Sequence, residues 1–523
     1  MKFRKITAVL SALTLLTGSL TGLSVSAAAK GSGDVDANGR VAIADAILLA
    51  RYIAEDKDIT VTAQGRANAD MNGDDQINSD DSSELLAWLA GSEAPQKSAG
   101  RSVDLLAGLT AGEAAAVQPD AAFCKAQADF SAALFRKTVA DEEDPDKNVL
   151  ISPLSVSLAL GMTMNGAKGV TLDEMQKVLG GELTAEQLNA YYAGWSEALE
   201  QEKEIVYYNP TDPEGFGEWE EIREMSKPVS IADAVWIKDD PQMIQVPGKF
   251  LQTLFDYYRA GAYKAPFDNS TVDDINSWVS DKTHKMIPKL LEKDSLTDDH
   301  VMVLVNALTF ESLWLSPYEQ WNVGTRTFHA ADGSEREVEM MFGEYGSYLD
   351  DGKATGFVNP YKDDRYCFAA VMPNEGITLD EYIAGLDGDA LTKLLQSTKS
   401  HDVIGGLPKF SFSYSTKMKQ TLKALGMPTA FGDGKESADF SGLNSVPNAD
   451  TYIDEVLHKT FIDVSESGTK AAAVTAVMMA NESAVMDPPI RITLDRPFLF
   501  MIVDKQTNLP IFLGAVKDIQ AEQ

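Results

Sequence analysis

The sequence predicts an α+β protein in which a mixed domain with large antiparallel sheets follows a small all-α, calcium-binding unit. Two observations lead there. An acidic loop followed by an apolar helical run occurs twice near the amino terminus, beginning at Asp34 and again at Asp70. Beyond residue 120, helical patterns at 123–139, 155–165 and 171–179 give way to strand-like runs at 229–237, 301–310, 368–372, 410–412, 460–464, 498–503 and 511–516. Helices first and strands afterwards is not the strict βαβ alternation of a parallel α/β fold.

The chain has 523 residues, enough for about two or three domains. Hydrophobic residues at 44% and charged residues at 24% are ordinary for a folded chain and exclude wholesale disorder. A formal charge of -34 repels phosphate backbones, so nucleic acid is not an expected partner. Cys124 and Cys367 are the only cysteines, which excludes a disulfide framework. His284, His300, His329, His401 and His458 show no zinc spacing.

Residues 1–28 open with Lys2, Arg4 and Lys5, continue through an apolar stretch and close on small residues, the pattern of a secretory signal peptide. No later segment is apolar for long enough to span a bilayer, so a secreted protein without membrane insertion is expected.

The repeated loops place oxygen side chains at positions one, three, five and twelve: Asp34, Asp36, Asn38 and Asp45 in the first, and Asp70, Asn72, Asp74 and Asp81 in the second. Val41 and Ile77 fall at position eight, where an apolar side chain anchors the loop. A short loop with this spacing wraps a hard cation, which predicts two Ca2+ sites. With Asp at position twelve, residues 33–91 resemble a type I dockerin. The resemblance implies binding to a cohesin module on the scaffold of an extracellular cellulase complex. It assigns partner choice to Ile43 and Ala44 in the first repeat and to Ser79 and Asp80 in the second. Asp75 stands where the first loop has Gly39, so a weaker second site is expected. Residues 92–119, rich in Ala, Gly, Ser and Pro, read as a linker with a short helical turn near 103–109.

The domain expected at 120–523 shows no catalytic signature: neither a Gly-flanked serine elbow nor a phosphate-binding or dinucleotide glycine loop is present, and no carboxylate pair stands out. Its informative segment follows a strand near the carboxyl end. Glu466, Ser467, Gly468 and Thr469 lead through Lys470 into Ala471, Ala472, Ala473, Val474, Thr475, Ala476 and Val477, and Pro488 and Pro489 close the stretch. With period two, Thr469, Ala471, Ala473, Thr475 and Val477 share one small, uncharged face, so this loop is also a competent buried strand.

That hinge is similar to the hinge of inhibitory serpins. The resemblance extends over 120–520 through Asn148 to Ser155, Asn165-Gly166-Ala167, Val305-Asn306-Ala307 with Trp314, Leu407 to Phe410, Ala438 to Gly442, His458-Lys459 and Asp495 to Phe500. It implies a serpin fold with an exposed reactive loop, a covalent suicide-substrate inhibitor of a serine or cysteine protease rather than an enzyme, and no cofactor in this domain. It places Ser152, Ser155, Asn306 and His458 in a polar shutter beneath the central sheet, and Trp314 where the top of that sheet opens. The family interval from Glu466 puts the reactive bond at Glu482-Ser483; spacing back from Arg496 puts it at Met486-Asp487. Two other classes of function stay open at this point: a non-inhibitory accessory that keeps only the fold, and a dockerin-borne carbohydrate-active enzyme.

Overall fold

The computed structural model describes residues 35, 43–53, 59, 61–71, 77, 81–82, 85, 102–106, 112, 115–210, 219–469 and 488–520. The expected signal peptide, Asp34, Asp36, Asn38, Asn72, Asp74, Ser79, Asp80, residues 471–475, Glu482, Ser483, Met486 and Asp487 lie outside the described residues. Two units pack internally, residues 1–100 and residues 101–523. No helix among the described residues is long and apolar enough to cross a membrane.

In the first unit, α1 (Ile43–Ile53) and α2 (Ala63–Ala69) gather Val35, Ala46, Leu49, Val61, Ala69 and Leu85 into a small core, with Ile77 packed against it. Thr62 caps α2 by accepting the Gly65 amide at 2.9 Å. A Cβ at Gly65 would lie 2.2 Å from the Val35 carbonyl oxygen, so the first loop approaches α2 at a distance that only glycine permits.

The second unit begins with β1 (Val103–Asp104) and α3 (Ala121–Asp141), whose first turn is closed by Asp120 accepting from Phe123 N. Next come β2 (Val149–Ile151), α4 (Pro153–Met164), α5 (Gly169–Gly180) and α6 (Ala185–Leu199). Ser152 at the N-cap and Pro153 in the first turn start α4, while a Thr184/Gln187 capping box starts α6. The hairpin β3 (Lys203–Pro210) and β4 (Trp219–Ser226) pairs only with itself. Then follow β5 (Val229–Lys238), α7 (Gly248–Tyr258), β6 (Gly261–Ala265), α8 (Asn269–Lys282), β7 (Met302–Phe310) and β8 (Ser312–Leu313). The remaining strands are β9 (Val323–His329), β10 (Glu335–Asp350), β11 (Ala354–Pro360), β12 (Tyr366–Pro373), β13 (Lys399–Pro408), β14 (Phe410–Lys417), β15 (Leu457–Val464), β16 (Gly468–Thr469), β17 (Ile490–Thr493), β18 (Phe498–Asp504) and β19 (Leu509–Val516).

A large sheet runs β17-β13-β10-β11-β12-β18-β19-β2, with β9 on β10. Every residue of β12, β18 and β19 is buried, which is why these strands read as continuous apolar runs. Two four-stranded ladders, β1-β6-β5-β7 and β14-β15-β16-β8, complete the architecture.

Of the helical turn expected near 103–109, residues 107–109 lie outside the described residues, and at its start Val103 and Asp104 form instead the strand β1, antiparallel to β6 with Val103 opposite Lys264. It satisfies an edge that would otherwise expose unpaired backbone. Leu105 N donates to Ala262 O at 2.8 Å and Val117 N to Ala190 O at 2.9 Å, so part of the segment expected as a linker lies against the larger unit. Cys124 and Cys367 are both free thiols.

Candidate functional site at the head of the split sheet

The strand 302–313 is paired with β5 along one edge, from Met302 opposite Ile237 to Phe310 opposite Val229. Along its other edge only Ser312 and Leu313 are paired, with Thr469 and Gly468 of β16. On the far side, β15 pairs with β14 throughout and with β16 only through Val464 opposite Thr469. Between β7 and β15 there is thus a seam, and β16 is the two-residue start of a strand antiparallel to both neighbours. Lower down the seam opens a cavity of about 1050 Å3, lined among others by Met302, Asn306, Val456, His458 and Ser155.

The hinge is held at the head of this seam by backbone and side-chain donors. Trp314 N donates to Ser467 O and Tyr318 N to Glu466 O, both at 2.9 Å. The Trp314 indole donates to Ser465 O at 2.9 Å and stacks on Tyr361 with centroids 4.6 Å apart. Thr469 is buried, and its hydroxyl lies 2.6 Å from the Tyr361 hydroxyl. A Cβ at Gly468 would sit 2.1 Å from Ser312 O, so glycine lets the returning chain close on β8. Burial opposes ionisation of Glu466, but the Lys409 ammonium at 2.9 Å prevails and holds the carboxyl below its usual range.

Beneath the seam, Ser152, Ser155, Asn306 and His458 come together. His458 Nε2 accepts from Ser152 N at 3.0 Å, the Ser155 hydroxyl donates to Asn306 Oδ1, and the Ser152 hydroxyl accepts from Ser155 N at 3.2 Å. His458 is buried, and desolvation pushes its pKa down to about 4, so the ring is neutral and serves as an acceptor. Thr460 of β15 donates to Leu150 O at 2.8 Å, a second tie to the layer below.

One member of this network is not evident from the motifs. Asp233 on β5 lies opposite Asn306 in register, and its Oδ1 accepts from Asn306 Nδ2 at 2.7 Å. Burial raises its pKa to about 7, against the lowering effect of the Asn306 bond. An acid in the middle of the apolar run 229–237 is the sequence signal that points to it. Lys409, Tyr318 and Tyr361 also hold the hinge, and nothing in their sequence spacing marks them for that role.

In the first unit, Asp45, Asp70 and Asp81 are described and all three are buried. Asp81 Oδ1 accepts from Met71 N at 2.8 Å. Carboxylates withdrawn from water need a cation or strong donors, so Asp45 of the first loop and Asp70 and Asp81 of the second each suit the oxygen ligation of a hard divalent ion. Ile43 and Ala44 belong to the first turn of α1.

Among the described residues the two ladders meet at this seam, where the hinge residues Gly468 and Thr469 pair with β8 on one side and β15 on the other. The chain belongs to the serpin family: the family model described as "Serpin (serine protease inhibitor)" matches residues 125–519, and that of the dockerin type I domain matches 32–89. Serpin family members are protease inhibitors, generally without catalytic activity, although some are non-inhibitory, and type I dockerins bind calcium. Human neuroserpin is 26% identical over 403 residues, 75% of this chain and 90% of that protein. Serpin B10 of Sorex araneus is 30% identical over 396 residues, 73% of this chain and 95% of that protein. Among solved structures, the thermophilic serpin tengpin in its native state is 38% identical with a TM-score of 0.69, covering 80% of this chain and all (100%) of that one. Tengpin in its latent state, also 38% identical, gives a TM-score of 0.63, covering 77% of this chain and 100% of that one.

Proposed function

We propose that the protein is a secreted serine protease inhibitor that acts as a suicide substrate by inserting its reactive loop, and that its dockerin docks it to a cohesin of an extracellular cellulase complex. The observation that carries this reading is β16: Gly468 and Thr469 already occupy the head of the seam, and the cavity below it lies on the path that a longer strand would follow. The face continuing from Thr469, through Ala471, Ala473 and Thr475, bears no charge or proline, which suits burial between β7 and β15.

In this mechanism the hydroxyl of a target serine protease, or the thiol of a cysteine protease, attacks the carbonyl carbon of the reactive bond. An acyl-enzyme forms, the peptide bond breaks and the new amine leaves with the proton. Insertion of the freed strand then carries the bound protease along the sheet before water can release it. The native state must therefore be held kinetically short of its most stable arrangement. We place the reactive bond at Glu482-Ser483, with Met486-Asp487 as the alternative. Calcium held by Asp34, Asp36, Asn38 and Asp45, and by Asp70, Asn72, Asp74 and Asp81, would order the docking unit, with Ile43, Ala44, Ser79 and Asp80 presented to the cohesin.

The test is incubation with subtilisin-like, elastase-like and glutamyl-specific proteases, followed by denaturing gels and amino-terminal sequencing of the released fragment. A detergent-stable high-mass band and a fragment beginning at Ser483 or Asp487 are expected. Clean cleavage by all three without a covalent band would overturn inhibition.

A further inference from the structure

Other buried acids of the larger unit have strong partners. Asp504 faces the Arg365 guanidinium at 3.0 Å, and Asp363 accepts from the Ser312 hydroxyl and from the amides of Arg365 and Tyr366. Asp233 has a neutral partner in Asn306. The groups set around it supply no compensating charge. Glu200 ends α6 and raises the cost of a second negative charge, while Lys227 is engaged with Glu200 at 2.9 Å. From α7, the buried Tyr258 hydroxyl donates to Asn189 Oδ1. Across the seam, His458 is neutral. An ionised Asp233 is a buried charge facing an amide, whereas its acid form is nearly isosteric with an amide pair.

Asn306 lies on the cavity wall where β7 borders the seam, and its Oδ1 accepts from Ser155 of α4. Moving β7 to admit a strand exposes Asn306, and with it the Asp233 carboxyl, to water. We propose that Asp233 is a positioning residue for loop insertion: buried on β5 with only the Asn306 amide as partner, its carboxyl is accommodated as the neutral acid in the closed seam, so its ionisation favours the opened sheet and a strand enters faster as pH rises through neutrality. The closed sheet binds the proton more tightly than the open one, because burial raises the carboxyl to about 7 only in the closed form. By linkage, rising pH therefore favours opening. His458 acts in the opposite sense below its ordinary range, so the effect of Asp233 is isolated above pH ~6.5.

The inference rests on the insertion mechanism proposed above. The experiment uses the full-length protein and an acetylated peptide with the sequence of residues 469–480, which has no group titrating near neutrality. Uptake is followed by native gel and by the rise in melting temperature. The uptake rate should increase about fourfold from pH 6.5 to 8.5, and Asp233→Asn, which keeps the neutral form at every pH, should give a flat profile below the wild-type rate throughout. Glu200→Gln keeps the acceptor for Ile231 N but removes the neighbouring charge, so it should move the midpoint of the profile to lower pH. A flat wild-type profile overturns the proposal, as does an unchanged profile in Asp233→Asn or an unmoved midpoint in Glu200→Gln. No uptake at any pH would instead overturn the insertion mechanism itself, and this inference with it.

Discussion

The Lys409 ammonium lies 2.9 Å from Glu466 and 2.8 Å from Glu339, so one cation fastens the end of β15 to the long strand β10. Glu466 is the residue after which the chain turns back, and its carbonyl is already taken by Tyr318 N. Lys409→Ala should free the hinge on one side while leaving the backbone bonds in place. Because these side chains are about a third exposed, the stability loss should be about 1 kcal/mol or less. The larger effect is expected on kinetics, as faster uptake of a hinge peptide than in the wild type, and equal uptake rates would show that the pair does not restrain the hinge.

Thr469 tests whether the hinge is a strand in waiting. Its side chain is 2% exposed and is bonded to Tyr361 beneath Trp314, a place without room for a long charged group. If the loop inserts as proposed, Thr469→Arg should leave a protein that is cleaved as a plain substrate, because the cut loop cannot enter past its first position. On a denaturing gel, cleavage should persist while the covalent protease band disappears; a surviving band would reject the role assigned to this residue.

Tyr361 offers a gentler version of that test. Tyr361→Phe keeps the ring stacked on Trp314 but leaves the buried Thr469 hydroxyl without this partner. The expected loss is about 1–3 kcal/mol in native stability, read from denaturant unfolding. Thr469→Val in the Phe background should recover part of it, since neither side of the pair then carries an unsatisfied hydroxyl.

Some of this site was legible in the sequence because it depends on local composition. The period-two reading of the small-residue hinge reaches the described residues at Thr469, which is buried, while Ser152, Ser155, Asn306 and His458 are placed through the serpin resemblance of the short motifs that carry them. Other parts depend on pairings far apart in the chain. Asp233 gains its role only from the register that sets it opposite Asn306, and Lys409 from a strand that ends beside Glu466. The hairpin β3-β4 was not read as strands, since its apolar residues Ile205, Val206, Tyr207, Tyr208, Trp219, Ile222 and Met225 follow no period-two alternation with its charged ones and it forms a ladder of its own. Likewise β1 is too short for any periodicity and exists because β6 offers an edge.

His458 predicts an acid limit to stability. Burial depresses its pKa to about 4, below the ordinary ~6.5 of an unfolded histidine. The folded state then binds fewer protons than the unfolded chain between those values, so stability is fully present above pH ~6.5 and is lost as pH falls toward 4. The span corresponds to about 3 kcal/mol at most. Asp233, whose buried carboxyl is raised to about 7, works in the opposite sense over the same window, so the His458 contribution is read as a difference. As pH falls from ~6.5 to 4, the wild type should lose melting temperature relative to His458→Gln, which can still accept from Ser152 N. A slope of equal size in the variant would assign the acid sensitivity to other groups.

Calcium removal should separate the two units. Among the described residues of 1–100, the carboxylates Asp45, Asp70 and Asp81 are buried beside a small apolar core, and burying a carboxylate costs stability that a bound cation offsets. The larger unit owes its packing to an extended apolar core under the sheets. Chelation should therefore abolish a low-temperature calorimetric transition and cohesin binding while leaving the main transition and the rate of protease inhibition unchanged. Asp45→Ala should reproduce the loss at the first loop, and Asp81→Ala at the second. A main transition that shifts with chelator would mean that calcium also stabilises the larger unit, and a cohesin complex that survives chelation would mean that the docking surface stands without the ion.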